Sequence, residues 1–225
     1  MLPRTKVIIA CIVMLAALIV VDQWRKNPSA EDTSASSQGS NASMQKVAVE
    51  SQSESSGEWK EFSPQNNTFK VMLPALPQHA SEAVPFPPGQ GLTKYDMYFS
   101  QEKDGTTYMI SMIQYPDTYN TSKADDVLSS AMNEMLAGSA NNKLVTQQNS
   151  TFLNCPALDF AIQNNDITIR SKTFLMGKTL FVLTLSDRTS SLVDDLFKKF
   201  TDSFQLGDAL KGDTKPEIPV PALPN

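Results

Sequence analysis

Residues 179–186 place apolar side chains on both faces of any strand they form, because Phe181, Leu183 and Leu185 alternate with Leu180 and Val182. The segment 106–115 repeats the pattern, with Tyr108, Ile110 and Met112 on one face and Met109 and Ile113 on the other. A sheet with one solvated face alternates apolar and polar residues, whereas strands apolar throughout must be covered on two sides. These two segments therefore exclude an open one-sided sheet and demand central positions in a layered domain.

Other segments supply the neighbours. Short apolar or alternating runs predict strands over 59–62, 69–73, 92–101, 143–152, 157–164 and 167–176. Lys103-Asp104-Gly105 reads as the turn of a hairpin joining 92–101 to 106–115, since a glycine after Asp supplies positive φ. Residues 78–91, with Pro85, Pro87, Pro88, Gly89 and Gly91, read as loop with one edge strand.

Two helices complete the set. In 122–139 the stripe Ala124, Val127, Leu128, Ala131 and Met135 has helical spacing, Ser122 and Asp125 stand at capping-box spacing, and Gly138 lies near the end. In 191–204 the stripe is Val193, Leu196, Phe197, Phe200 and Phe204. The expected fold class is α+β: an antiparallel β-sheet covered by helices on both faces, an α/β/α sandwich, preceded by an N-terminal membrane helix.

That helix is read from residues 7–21, fifteen apolar residues behind Arg4 and Lys6. They rise about 22 Å as a helix against about 30 Å of hydrocarbon, so a span borrows flanking residues out to Trp24, with Arg25 and Lys26 beyond it. No small-residue cleavage site follows Val21, and cleavage before Cys11 would leave too short an apolar region. The reading is an uncleaved anchor over 1–26, with secretion after signal cleavage as the alternative and a lipid anchor as the least favoured. Few positive charges follow the run, which puts the C-terminal side across a bacterial inner membrane in the periplasm.

Composition divides the remainder. Residues 27–57 hold ten serines and no aromatic residue, and read as a flexible linker. Residues 58–206 suit one domain, and 207–225, with Pro216, Pro219, Pro221 and Pro224, read as an extended tail. Pro221 and Pro224 have PxxP spacing, which is common in such tails.

Reaction chemistry is sparse. The domain carries twelve Lys or Arg against sixteen Asp or Glu, interspersed, which argues against nucleic acid as a partner. Cys155 is the domain's single cysteine and His79 the chain's single histidine, too few for the usual zinc set. Cys155 reads as a buried inert thiol, and a Ser-His-Asp triad would require His79 to serve as base from a loop. Asp125-Asp126 and Asp194-Asp195 fall in first turns of helices, where the dipole favours acidic residues. Met97, Met109, Met112, Met132, Met135 and Met176 are spread over helix and strands and suit core filling better than copper. Asn41, Asn66, Asn120 and Asn149 begin N-x-Ser/Thr triplets, relevant only in a eukaryote. The sequence assigns no catalytic, cofactor-binding or metal-ligating residue and no cofactor.

The segments Trp59-x-x-Phe62-Ser63-Pro64, Phe69 to Pro74 with Pro77, the hairpin 170–185 turning at Gly177, and Phe200-x-x-Ser203-Phe204-x-Leu206 resemble the PsbP-like/DcrB-like bacterial exported domain family over about 58–206. The resemblance implies an α/β/α sandwich and a secreted or membrane-attached protein, with no shared catalytic residues. The role of photosynthetic members is not implied, since fold does not carry function. The expected function is that of a non-enzymatic, membrane-tethered domain binding a protein partner in the cell envelope, the membrane being contacted through residues 7–21. The alternative is a small-molecule or lipid-binding domain with loop 74–91 as a lid. A hydrolase built on His79 or the carboxylates is a third reading.

Overall fold

The computed structural model describes residues 58–86, 91–188 and 192–211. The apolar run 7–21, the linker 27–57 and residues 212–225 of the tail lie outside them. Among the described residues no helix is long and apolar enough to cross a membrane.

Among the described residues ten strands form two antiparallel sheets. The smaller holds β1 (Lys60–Phe62), β2 (Phe69–Leu73) and β10 (Gln205–Leu206), with β2 in the middle. Pro64 and Asn67 close the β1–β2 turn: the Asn67 amide donates to the Pro64 carbonyl at 2.9 Å, and Asn67 takes φ +50°. Asn is among the few residues that tolerate this left-handed region. Gly207 brings the chain back over that turn, its amide donating to Thr68 O at 2.8 Å. A Cβ there would lie 1.7 Å from Asn67 O, so only glycine fits.

The larger sheet has the order β3-β4-β5-β9-β8-β7-β6, comprising β3 (Gln78–Pro85), β4 (Leu92–Gln101), β5 (Thr107–Gln114), β6 (Asn142–Phe152), β7 (Cys155–Asn164), β8 (Ile167–Met176) and β9 (Thr179–Asp187). It is two meanders, β3-β4-β5 and β6-β7-β8-β9, joined where β5 pairs with β9 from Thr107↔Ser186 to Gln114↔Thr179. Helix α1 (Ala124–Ala137) carries the chain from central β5 to β6 at the far edge. The two strands read as apolar on both faces lie side by side at the centre.

Their alternate residues feed two separate cores. Tyr108, Ile110, Phe181, Leu183 and Leu185 join Phe69, Phe174, Phe200 and Phe204 in one cluster. Ile113, Leu180 and Val182 join Val127, Leu128, Met132, Leu158, Phe160 and Ile162 in the other. Helix α2 (Val193–Asp202) packs Val193, Leu196, Phe197 and Phe200 into the first cluster, while α1 contributes to the second. Phe174 and Phe181, directly opposed on β8 and β9, stack with centroids 4.7 Å apart.

Several local expectations are corrected. Helix α1 begins after Lys123 with no side-chain cap, so the Ser122/Asp125 capping box does not form. Instead Asn120 Oδ1 accepts the Ser122 amide at 2.9 Å, tightening the chain just before the helix. Met132, outside the expected stripe, is among the most buried α1 residues. Residues 78–85 form an eight-residue strand rather than mostly loop, because the prolines of 78–91 fall at its last position or after it in sequence and leave the ladder to β4 intact. Packing also continues past residue 206: a short helix α3 (Asp208–Lys211) places Leu210 against the first core cluster.

Candidate functional site

The single histidine sits on β3, not in a loop. Register pairs His79 with Tyr98 of β4, and the imidazole stacks on that ring at 4.4 Å and 11°. Its Nε2 lies 3.0 Å from Asp96 Oδ1, two residues along the same face of β4. The His79 side chain is 46% exposed and that of Asp96 32%, so the pair lies at the surface of a sheet edge. Burial raises the Tyr98 phenol above its ordinary pKa, with the Asp96 charge adding to the effect. Among the described residues the hydrogen-bond partner of the imidazole is Asp96 and no hydroxyl.

Cys155 opens β7 directly after Leu153 and Asn154, both at positive φ, and is buried. Desolvation pushes its thiol up, which disfavours the nucleophilic thiolate. Asp125 and Asp126 are exposed in the first turn of α1. Asp194, in the first turn of α2, accepts from Arg170 Nε of β8 at 2.6 Å and thereby ties helix to sheet. Met112 and Met176 belong to one core and Met132 and Met135 to the other, so the thioethers do not converge. Among the described residues no three His, Cys, Asp or Glu side chains gather as a metal site would require.

One end of the sheet holds a cluster that periodicity does not signal. Phe86 meets Tyr119 edge-on at 5.2 Å, Tyr119 stacks on Tyr115 at 4.4 Å, and Lys178 Nζ donates to the carbonyls of Asp117 and Tyr119 at 3.1 and 2.5 Å. Gly91, at φ +105°, packs so closely that an added Cβ would lie 2.9 Å from Pro116 Cβ. The end of the Pro-rich segment is thus stitched to residues 115–119. On the other core, Trp59 is edge-on to Tyr108 at 5.2 Å and lies under Lys199 Nζ at 4.1 Å, which fixes the point where the chain enters the domain. The hydroxyl of Tyr108 donates to Glu102 Oε1 at 2.8 Å.

What remains chemically open is backbone. Among the described residues β3 and β6 are the edges of the seven-stranded sheet, and each pairs on one side only. β3 is exposed at seven of its eight positions. In β6 every residue from Lys143 to Asn149 is exposed, including Leu144 at 41% and Val145 at 59%. An edge strand presents a row of N–H and C=O groups that another strand can complete.

No family model and no curated protein matches the chain. Among solved structures it is similar to the cyanobacterial PsbP protein (CyanoP) of Synechocystis, with 14% identity over 73% of this chain and 98% of that one and a TM-score of 0.44. It is also similar to a Pseudomonas aeruginosa protein of unknown function, at 8% identity over 62% of this chain and 90% of that one, TM-score 0.33. A third likeness is to a Bacteroides thetaiotaomicron protein, at 10% identity over 65% of this chain and 48% of that one, TM-score 0.33.

Proposed function

We propose that this chain is a membrane-tethered, non-enzymatic domain that displays an open sheet edge to a protein partner in the bacterial cell envelope. The observation that carries the reading is β3, an exposed edge strand whose ladder positions Gln78 to Val84 are uninterrupted by proline. A partner segment adding to it would gain main-chain hydrogen bonds for affinity and side-chain contacts for specificity. His79, Asp96 and Glu82 supply the polar specificity, and the Glu82 charge discourages pairing with a second β3. The sequence supports the tether: residues 7–21 anchor, 27–57 give reach, and the C-terminal side faces the periplasm.

The finer architecture, an α/β/α sandwich of the PsbP-like kind, belongs to the same proposal. Its support is the membership of α1 and α2 in opposite core clusters. The non-enzymatic reading is supported by the use of the ionic and polar groups in ties within the fold, as with Arg170 and Asp194 or Lys172 and Asp159.

The test is photo-crosslinking in intact membranes from Ser81 of β3. Discrete adducts with another protein, lost on Glu82→Lys, are expected. The Phe86 amide donates to Gly91 O at 2.9 Å, so alternation turns the Ala83 N–H away from β4; adducts that survive Ala83→Pro, which removes that outward donor, would overturn the edge as the site. A second reading, binding of a small molecule or lipid, rests on the aromatic group Phe86, Tyr115 and Tyr119. It predicts a co-purifying ligand detected by native mass spectrometry and lost on Tyr119→Ala.

A further inference from the structure

We infer that the opposite edge, β6, pairs antiparallel with β6 of a second copy, joining two seven-stranded sheets across a two-fold axis at Asn149. The two edges differ in kind. β3 carries His79 and Glu82 and ends on Pro85, features that blunt an edge. β6 confines such features to its first residues, Lys143 and an irregularity after Leu144: from Leu144 to Phe152 it reads Leu-Val-Thr-Gln-Gln-Asn-Ser-Thr-Phe, with no charge and no proline. The irregularity lies between Leu144 and Thr146, which leaves Thr146 to Phe152 in unbroken register with β7, from Thr146↔Ala161 to Phe152↔Cys155.

That regular segment is seven residues long and has Asn149 at its centre. Two-fold antiparallel pairing about Asn149 sets Asn149 beside Asn149 of the other copy, Gln148 beside Ser150, Gln147 beside Thr151, and Thr146 beside Phe152. Residues sharing a position in this register share a face, because the axis stands perpendicular to the sheet and the sums of paired numbers are even. Each contact is between uncharged side chains, and amides line the axis where they can hydrogen-bond to one another. Such a contact is isologous and closed, so it ends at a dimer.

Charge favours the antiparallel sense. The nearest charge on the strand is Lys143, six positions from the axis, so the two lysines stand about 40 Å apart in the antiparallel pair. Parallel pairing would place them side by side. One strand further in, Asp159 opposes Gln148, but Lys172 Nζ lies 2.5 Å from its Oδ1 and Ser150 Oγ donates to Oδ2 at 2.5 Å. In a chain of formal charge −5, this edge is electrically quiet.

Seven paired residues bury less than a stable dimer in free solution needs. The inference therefore rests on the tethered reading: confinement to one membrane raises the effective concentration and makes a small self-complementary edge sufficient. The edge and occupant are nevertheless separate from those of the envelope partner.

The experiment uses the full chain in its membrane with Cys11→Ser and Cys155→Ser, and a single new cysteine at Asn149, Lys143 or Ser81. Mild oxidation is expected to give a disulfide-linked dimer from Asn149→Cys at least tenfold faster than from either other site. Asn149→Lys opposes two like charges at the axis and is expected to abolish chemical crosslinking between copies, as is Asn149→Asp. Co-expressing the Lys and Asp variants restores it as a mixed dimer. An unchanged melting temperature of each variant separates this from misfolding. A dimer that forms equally from all three sites, or one that survives Asn149→Lys, would overturn the inference, as would absence of any Asn149 dimer. Loss of dimer with retained Ser81 adducts leaves the partner reading standing; loss of Ser81 adducts with retained dimer does the reverse.

Discussion

Single residues set several conditions that the fold cannot relax. Gly207→Ala forces a methyl group into the Asn67 carbonyl and is expected to cost more than about 2 kcal/mol in denaturant unfolding, because both neighbours are backbone. Ser111 presents the opposite case. Its Oγ is buried with no hydrogen-bond partner, so Ser111→Ala is expected to be neutral or mildly stabilising, within about 1 kcal/mol. Tyr95 gives a pH signature: burial, aided by the charges of Glu134 and Glu82, pushes its phenol up to about 12. A raised pKa means the folded state keeps its proton when the unfolded chain has lost it. The stabilising contribution is therefore complete below about pH 10 and lost as pH rises from there through 12. Urea midpoints are expected to fall over that window, and Tyr95→Phe to make the fall shallower. Tyr108 and Tyr115 are shifted in the same direction by burial first, so the slope is reduced and not abolished.

At the scale of elements, legibility followed burial. Strands 92–101 and 167–176 and the two-faced strands at the centre were readable because each faces two cores and so must be apolar on alternate positions twice over. β3 was only partly readable: Gln78 to Glu82 shows no core-facing alternation, and the strand exists through its backbone ladder to β4. Helix α1 was found by its stripe, but its start was misread because Asn120, not Ser122, makes the local side-chain bond. The His79–Asp96–Tyr98 arrangement could not be read at all, since residues 17 and 19 positions apart meet only through cross-strand register. The same contrast predicts mutational cost. Phe200→Ala, at a fully buried position on α2, is expected to lose about 3–5 kcal/mol, whereas Leu144→Ser on exposed β6 should change stability by less than about 0.5 kcal/mol. Parallel denaturation curves check both.

At the scale of the whole molecule, the arrangement places two kinds of edge on opposite sides of one sheet. In the proposed reading the charged, proline-ended β3 meets a chosen partner and β6, uncharged from Leu144 to Phe152, meets a copy of itself, so a dimer would present two β3 edges at its far ends. In that reading the proposed anchor and linker set where this happens and how far the edges reach. The most direct measurement is photo-crosslinking from Ser81 in the full chain within its native membrane, read beside membrane fractionation. Membrane-bound protein and a small set of discrete adducts with another envelope protein are expected. A chain recovered free of the membrane, or adducts to no other protein, would contradict that reading.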